Sequence, residues 1–148
     1  MKILIAEDDY TSRAMLKAVL EKAGHTVVEA VDGAEAWEIL KNPDAPKMAI
    51  LDWMMPKING LDLVRRVRDI PSKLPPCLIM LTTKDEKADI IAALNAGAND
   101  FLAKPFDAGE LRARIDVGSR MIELQEALNE KIEELEKAFD EIKTLHGI

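Results

Sequence analysis

The chain has 148 residues and a formal net charge of -7, from 20 basic and 27 acidic residues, and that length suits one domain with an appendage. The acidic balance disfavours a nucleic-acid partner, because phosphate contacts need a basic patch, and the single cysteine excludes an internal disulfide. No apolar run approaches the ~18 residues of a membrane span and no signal peptide precedes the first strand, so we expect a cytoplasmic protein without a membrane partner.

Short apolar runs alternate with stretches of helical spacing along the chain. Strands are predicted at 2–6, 26–30, 48–51, 77–81 and 100–103. Helices are predicted at 10–23, 34–41, 60–68, 85–95 and from 107 nearly to the end. This strict alternation predicts a parallel sheet covered by helices on both faces. Five repeats fit the flavodoxin-like doubly wound α/β fold, from which we take the strand order 2-1-3-4-5.

Chemically active side chains lie at the ends of four of these strands. Asp8 and Asp9 follow the first strand and Asp52 follows the third, whereas Thr82 and Lys104 follow the fourth and the fifth. The carboxyl ends of parallel strands share one edge of the sheet, where ligands of this fold bind. Three carboxylates, a hydroxyl and an ammonium suit a site for a divalent cation and a phosphoryl group.

The acids on either side of Asp8, which are Glu7 and Asp9, differ in their predicted roles. Alternation along the first strand points Glu7 away from the other acids, so it receives no role in the site. Asp9 directly precedes a predicted helix and can cap its N-terminus. The sequence leaves a cap and a metal ligand open as compatible roles for Asp9.

The order of these motifs resembles the receiver domain of two-component response regulators. The resemblance rests on Glu-Asp-Asp at 7–9, Leu-Asp-Trp-Met-Met-Pro at 51–56 with Gly60, then Thr82, then Lys-Pro-Phe at 104–106. Each piece alone is weak evidence, but their order and spacing together are specific. The resemblance covers about the first 118 residues.

The resemblance implies a phosphoryl acceptor and a magnesium site. Asp52 would take a phosphoryl group from a histidine kinase or phosphotransfer protein, since a carboxylate can act as a nucleophile. Asp9 and Asp52 would bind Mg²⁺ directly together with the backbone carbonyl of Met54, and Asp8 would act through water. The chain would be a signalling switch that catalyses its own phosphorylation and slow dephosphorylation, not an enzyme acting on other molecules.

The resemblance also implies which residues bind the phosphoryl group and which respond to it. Thr82 and Lys104 would each bind a phosphoryl oxygen, and the bond between Lys104 and Pro105 would be cis. Phe101 stands where the family has a switching aromatic residue, although a plain core role is also open. Met54 and Lys84 occupy the two variable positions that tune dephosphorylation in relatives.

The last residues, 119–148, form a second predicted unit. A heptad pattern with charged flanks predicts a coiled coil that continues the last helix and joins two copies of the chain. Gln125 occupies an a position, where it would weaken the dimer but help to fix its register. The predicted dimer residues are Met121, Leu128, Ile132, Leu135, Phe139 and Ile142.

Several functions remain open at this point. The long helix resembles linkers between receivers and output domains such as diguanylate cyclases, yet the sequence contains no such domain, so a partner or a longer chain would carry the output. A stand-alone receiver that acts by protein binding is one alternative, and a degenerate receiver that only dimerises is another. An enzyme of the haloacid-dehalogenase type, which also uses Mg²⁺ and an Asp at the end of a strand, would need a second Asp where Met54 stands.

Overall fold

The computed structural model describes residues 1–83 and 86–147. Its strands are β1 Lys2–Ala6, β2 Thr26–Ala30, β3 Met48–Asp52, β4 Cys77–Thr82 and β5 Asp100–Ala103. Its helices are α1 Tyr10–Lys22, α2 Gly33–Leu40, α3 Gly60–Arg68, α4 Lys87–Ala96 and α5 Ala108–His146. These elements confirm the predicted alternation. The predicted start of α4 at Asp85 lies outside the described residues, as does the variable position Lys84.

The five strands form one parallel sheet in the order β2-β1-β3-β4-β5, which confirms the predicted flavodoxin-like fold. All five residues of β3 are buried because this strand lies at the centre of the sheet. In the pairing of β1 with β3, Ala6 lies opposite Leu51. Continuing that register by one residue brings Glu7 level with Asp52.

Two apolar cores cover the two faces of the sheet. Alternate strand residues such as Leu4 and Leu51 face α2, α3 and α4, whereas Ile3 and Ile50 face α1 and α5. Burial of each large aliphatic side chain contributes roughly 1.5–3 kcal/mol to stability. The edge that holds the carboxyl ends of the strands is therefore supported from both sides.

Asx residues begin four of the helices. Their side chains accept a hydrogen bond from the backbone N–H three residues further on, which satisfies one donor of the first turn. These caps are Asp9 for α1, Asp32 for α2, Asn59 for α3 and Asp107 for α5.

Helix α5 has 39 residues, about 58 Å at 1.5 Å per residue, and only its first part packs on the sheet. Its buried residues are Leu111, Ile115, Gly118 and Ile122. Packing thus continues past the predicted domain boundary at 118. Met121, a predicted dimer residue, also packs partly on the α1/α5 core, so the domain covers part of it. Within the described ranges, no helix is long and apolar enough to cross a membrane.

Two glycines differ in what surrounds them. A Cβ on Gly60 would lie 2.4 Å from the backbone oxygen of Asp52 and 2.9 Å from the Cα of Trp53. A Cβ on Gly118 would lie 2.6 Å from the terminal methyl group of Met48, which can move. Of these two glycines, Gly60 is therefore the one that meets an obstruction made of backbone.

We expect Gly60→Ala to lower the free energy of unfolding by about 2 kcal/mol or more, because backbone at the end of β3 must shift. Gly118→Ala should cost less, since the Met48 side chain can rotate and Ala favours a helix over Gly by ~1 kcal/mol. Urea unfolding followed by circular dichroism measures both. Equal losses in the two variants would contradict this account of the Gly60 loop.

Candidate functional site

Three carboxylates meet at the carboxyl ends of β1 and β3. Glu7, Asp8 and Asp52 each offer an oxygen atom, and these atoms lie within 4.8 Å of one another. Glu7 is 1% exposed and Asp52 is 5% exposed, whereas Asp8 is exposed. The prediction that Glu7 points away from the other acids is therefore wrong.

Strand pairing explains the position of Glu7. Its N–H still donates to the carbonyl of Ala30 in β2 at 3.1 Å, so the chain keeps the course of the sheet one residue past β1. Its own carbonyl accepts a bond of 2.9 Å from Nη1 of Arg13 in α1. With its backbone held on both sides, Glu7 directs its carboxylate to the neighbouring Asp52 and not to solvent.

Lys104 supplies the positive charge of this cluster. Its Nζ lies 3.1 Å from both carboxylate oxygens of Glu7 and 3.3 Å from Oδ2 of Asp52. Its backbone N–H donates to the carbonyl of Thr82 at 2.8 Å, which fixes the start of the turn after β5. The Lys104–Pro105 peptide bond is cis, as the resemblance implies.

The pKa values of Glu7 and Lys104 are both raised, which favours the neutral form of the acid and the charged form of the lysine. Burial raises the pKa of Glu7 to about 7, and the hydrogen bond and negative charge of Asp52 act in the same direction against the opposing effect of Lys104. Burial lowers the pKa of Lys104, but its bond to Glu7 and the charges of Asp52 and Glu7 outweigh that effect and raise it. The site therefore keeps a charged lysine while it holds a proton readily on Glu7.

Asp9 is not part of the carboxylate cluster. One of its oxygens accepts a 2.8 Å bond from the N–H of Ser12, and this bond lowers the pKa of Asp9. The structure thus confirms Asp9 as the cap of α1 and places it outside the group of carboxylates that lie close enough to share an ion, while its role as a direct metal ligand stays a prediction. The signal was present in the sequence, because an Asp one residue before a helix is committed to that helix's first turn.

The remaining predicted residues lie around this cluster. Thr82 is 1% exposed at the end of β4, and Phe101 in β5 is partly buried against the α2–α4 core. The side chain of Met54 is 60% exposed in the loop after β3, whereas Trp53 before it is buried. The structure thus brings Asp8, Asp52, Thr82 and Lys104 to one edge of the sheet.

The donor set suits a magnesium ion. Mg²⁺ prefers hard oxygen ligands, and three carboxylates this close repel one another unless a cation offsets their charge. Lys104 offsets one of these charges only. The chemistry of the site therefore fits a small divalent cation beside a phosphoryl group.

Comparison with known proteins agrees with this fold and site. The response regulator receiver domain family matches residues 3–116. The chemotaxis protein CheY homolog of Campylobacter jejuni strain 81-176 is 40% identical over 117 residues, which are 78% of this chain and 90% of that protein. Chemotaxis protein CheY1 of Helicobacter pylori strain 26695 is 42% identical over 118 residues, which are 79% of this chain and 95% of that protein.

A solved structure extends the comparison. A protein named for a two-component response regulator and a GGDEF domain is 33% identical to this chain with a TM-score of 0.77. The match covers 83% of this chain and 50% of that protein. Fold and site together define a CheY-like receiver domain, a signalling switch of two-component systems. The chain belongs to the response regulator receiver domain family.

The raised pKa of Glu7 predicts a pH dependence of stability in metal-free buffer. Because its folded pKa is about 7 and its ordinary value is 4.5, the folded chain holds a proton that the unfolded chain has already lost. That contribution is fully present below the unfolded pKa and is lost as pH rises through the folded pKa. The free energy of unfolding should therefore fall by roughly 1–3 kcal/mol between about pH 5 and pH 8. Urea titrations of wild type and Glu7→Gln test this, and an undiminished fall in Glu7→Gln would contradict it.

Proposed function

We propose that this chain is a phospho-accepting switch in which Asp52 takes a phosphoryl group from a histidine kinase or phosphotransfer protein. The observation that carries the proposal is a buried Asp52 held 3.3 Å from the ammonium of Lys104 at the carboxyl end of β3. A carboxylate oxygen of Asp52 attacks phosphorus, and the bond between phosphorus and the donor nitrogen breaks. The donor imidazole keeps the bonding electron pair.

Glu7, Asp8 and Asp52 would hold Mg²⁺, with the backbone carbonyl of Met54 beside them. The three carboxylates have their oxygens within 4.8 Å of one another, whereas Asp9 is committed to Ser12. When bound, the ion offsets negative charge on the carboxylates and on the phosphoryl oxygens. This donor set replaces the pair Asp8 and Asp9 that the sequence predicts.

Thr82 and Lys104 would bind the new phosphoryl oxygens. A phosphoryl group adds a charge of about -1.5 to -2, which competes with Glu7 for the ammonium of Lys104. Since Lys104 directly follows β5, its movement would shift the packing of Phe101 in that strand. The change would then reach the face formed by α4, β5 and α5.

We further propose that α5 relays this change as a homodimer. Beyond Ile122 the helix exposes a row of large apolar residues that the described part of the domain does not cover, and a second chain can cover it. This row contains Leu128, Ile132, Leu135, Phe139 and Ile142. The helix would couple the switch to an output unit that is not among these 148 residues. The GGDEF-containing structural neighbour supports an output of that kind.

A stand-alone receiver that acts by protein binding is the second candidate. Its support is that the CheY1 relative is matched over 95% of its own length, so a receiver alone can constitute a protein of this family. A degenerate receiver is less favoured, because the structure brings Asp8, Asp52, Thr82 and Lys104 together. The haloacid-dehalogenase alternative is not supported by the family match.

Incubation with acetyl phosphate and Mg²⁺ should label the chain once, at Asp52. Asp52→Asn should abolish the label, because an amide oxygen is a poor nucleophile. Phos-tag electrophoresis and mass spectrometry of the peptide that contains residue 52 measure the stoichiometry and the position. Undiminished labelling of Asp52→Asn would overturn the acceptor assignment.

Two variants in the same experiment test the metal ligands. Asp8→Asn should raise the Mg²⁺ concentration needed for half-maximal labelling by at least about tenfold, the scale expected for loss of a charged ligand. Asp9→Asn is the matched control, since Asn caps a helix as well as Asp does. It should leave the Mg²⁺ requirement unchanged, and the reverse pattern would restore Asp9 as the ligand.

The unphosphorylated chain should be a dimer at tens of micromolar, a concentration scale that corresponds to ~6–7 kcal/mol of association free energy. Leu128→Asp with Leu135→Asp should give a monomer, because each change places a charge in the apolar contact. That monomer should still accept a phosphoryl group at Asp52. Sedimentation equilibrium measures the oligomeric state, and a monomeric wild type would contradict the proposal that the unphosphorylated chain is a dimer.

A further inference from the structure

Two different faces of α5 carry apolar residues. The buried face contains Leu111, Ile115, Gly118 and Ile122, which pack on the sheet. The second face is exposed and lies roughly 110° around the axis, at ~100° per residue. Its exposed members are Val117, Leu124, Leu128, Ile132, Leu135, Phe139 and Ile142, and together with the half-buried Met121 they are hereafter the seam. The seam begins on the domain and not after it.

The spacing of the seam contains one irregular step. From Leu128 to Ile142 the intervals are 4, 3, 4 and 3 residues, which is an unbroken heptad pattern. From Val117 to Leu128 they are 4, 3 and 4 residues. Two intervals of four residues therefore meet at Leu128. Such an extra step of four is a stutter, which unwinds a coiled coil locally.

An unbroken heptad would follow another path above Leu128. It would use Gln125 and Gly118 in place of Leu124 and Val117. Gly118 is closed to a partner, because the position of its absent Cβ lies 2.6 Å from Met48 and 3.1 Å from Cys77. By contrast, Leu124 is 71% exposed and Val117 is 52% exposed. The domain thus blocks the regular path and leaves the other one open.

We propose that two copies of this chain pair in parallel along the seam, with a stutter at Leu128 that carries the contact onto the domain through Leu124 and Val117. This inference rests on the dimer in the proposed function and deepens it. Gln125 then lies beside the contact and not within it. The receiver domains of the two copies consequently meet along α5.

Charge complementarity favours a second copy in parallel as the occupant. In the heptads below Leu128, Lys131 takes a g position and Glu136 takes the following e position. A parallel, in-register pair places Lys131 of one chain next to Glu136 of the other, twice per dimer. Both side chains belong to the exposed part of α5, so they can pair without breaking a buried contact.

The seam also begins beside the contacts that tie α5 to β5. Nη1 of Arg114 lies 2.6 Å from Oδ1 of Asp100, the first residue of β5. Nδ2 of Asn99 lies 3.9 Å from the sulfur of Met121, which is a seam residue. A shift of β5 would therefore act on the first turns of the seam directly.

The adjacent residues 124 and 125 allow a matched test. Leu124→Gln, Gln125→Leu and the double swap, which conserves composition, are compared with wild type by sedimentation equilibrium. If the seam is correct, Leu124→Gln and the swap raise the dimer Kd at least about tenfold, and Gln125→Leu changes it less than about threefold. Val117→Gln should also raise the Kd, because it removes a second apolar contact of the stutter path.

The opposite pattern overturns the inference. An uninterrupted heptad predicts that Gln125→Leu and the swap lower the Kd at least about tenfold while Leu124→Gln has little effect. Equal Kd values for all variants would also overturn it, since the contact would then begin below this region. A monomeric wild type refutes the dimer itself, whereas a dimeric wild type with either of these other results refutes only the stutter path. Labelling at Asp52 in every variant verifies that the receiver remains folded.

Discussion

A lysine shared between two buried carboxylates is the interaction on which the site depends. Lys104 lies 3.1 Å from both oxygens of Glu7 and 3.3 Å from Asp52, and each of these residues ends a different strand. Without this ammonium, the pKa of Glu7 would rise further, because burial and the charge of Asp52 both favour its protonated form and Lys104 opposes them. The neighbouring strands β1 and β3 bring Glu7 and Asp52 together, and the turn after β5 places Lys104 beside them. The same geometry lets an incoming phosphoryl group compete for one cation.

Much of the fold and part of the site could be predicted from the sequence. Apolar runs of strand length located the sheet, and the motif order predicted a site at Asp52, Thr82 and Lys104, which the structure brings to one edge of the sheet. The predicted orientation of Glu7 was wrong because side-chain alternation was extended past Ala6 without the register of β1 on β3. That register, a pairing between distant segments, places Glu7 level with Asp52. The capping bond of Asp9 to Ser12 is local, and the sequence therefore predicted it correctly.

Helix α5 shows a different limit of sequence analysis. Heptad periodicity identified the exposed apolar row, but it could not tell which turns the sheet covers. Gly118 illustrates this limit. It has no apolar side chain that would predict burial from the sequence, yet it is buried against Met48 and Cys77. Once that contact is known, Met121 belongs to both the domain and the exposed row. The boundary between globular domain and free helix is therefore gradual, with packing on the sheet that continues through Ile122.

Because α5 is one continuous helix from Ala108 to His146, the number of residues between the domain and an attached unit sets the rotation of that unit about the helix axis. Each inserted residue rotates everything downstream by ~100°, whereas seven residues rotate it by only ~20°. A unit attached below Ile142 thus inherits its orientation from the sheet through an uninterrupted backbone. Chimaeras that exchange receivers between proteins should keep orientation when their junctions differ by whole heptads. Junctions that differ by two or five residues would turn the attached unit to the wrong side of the axis.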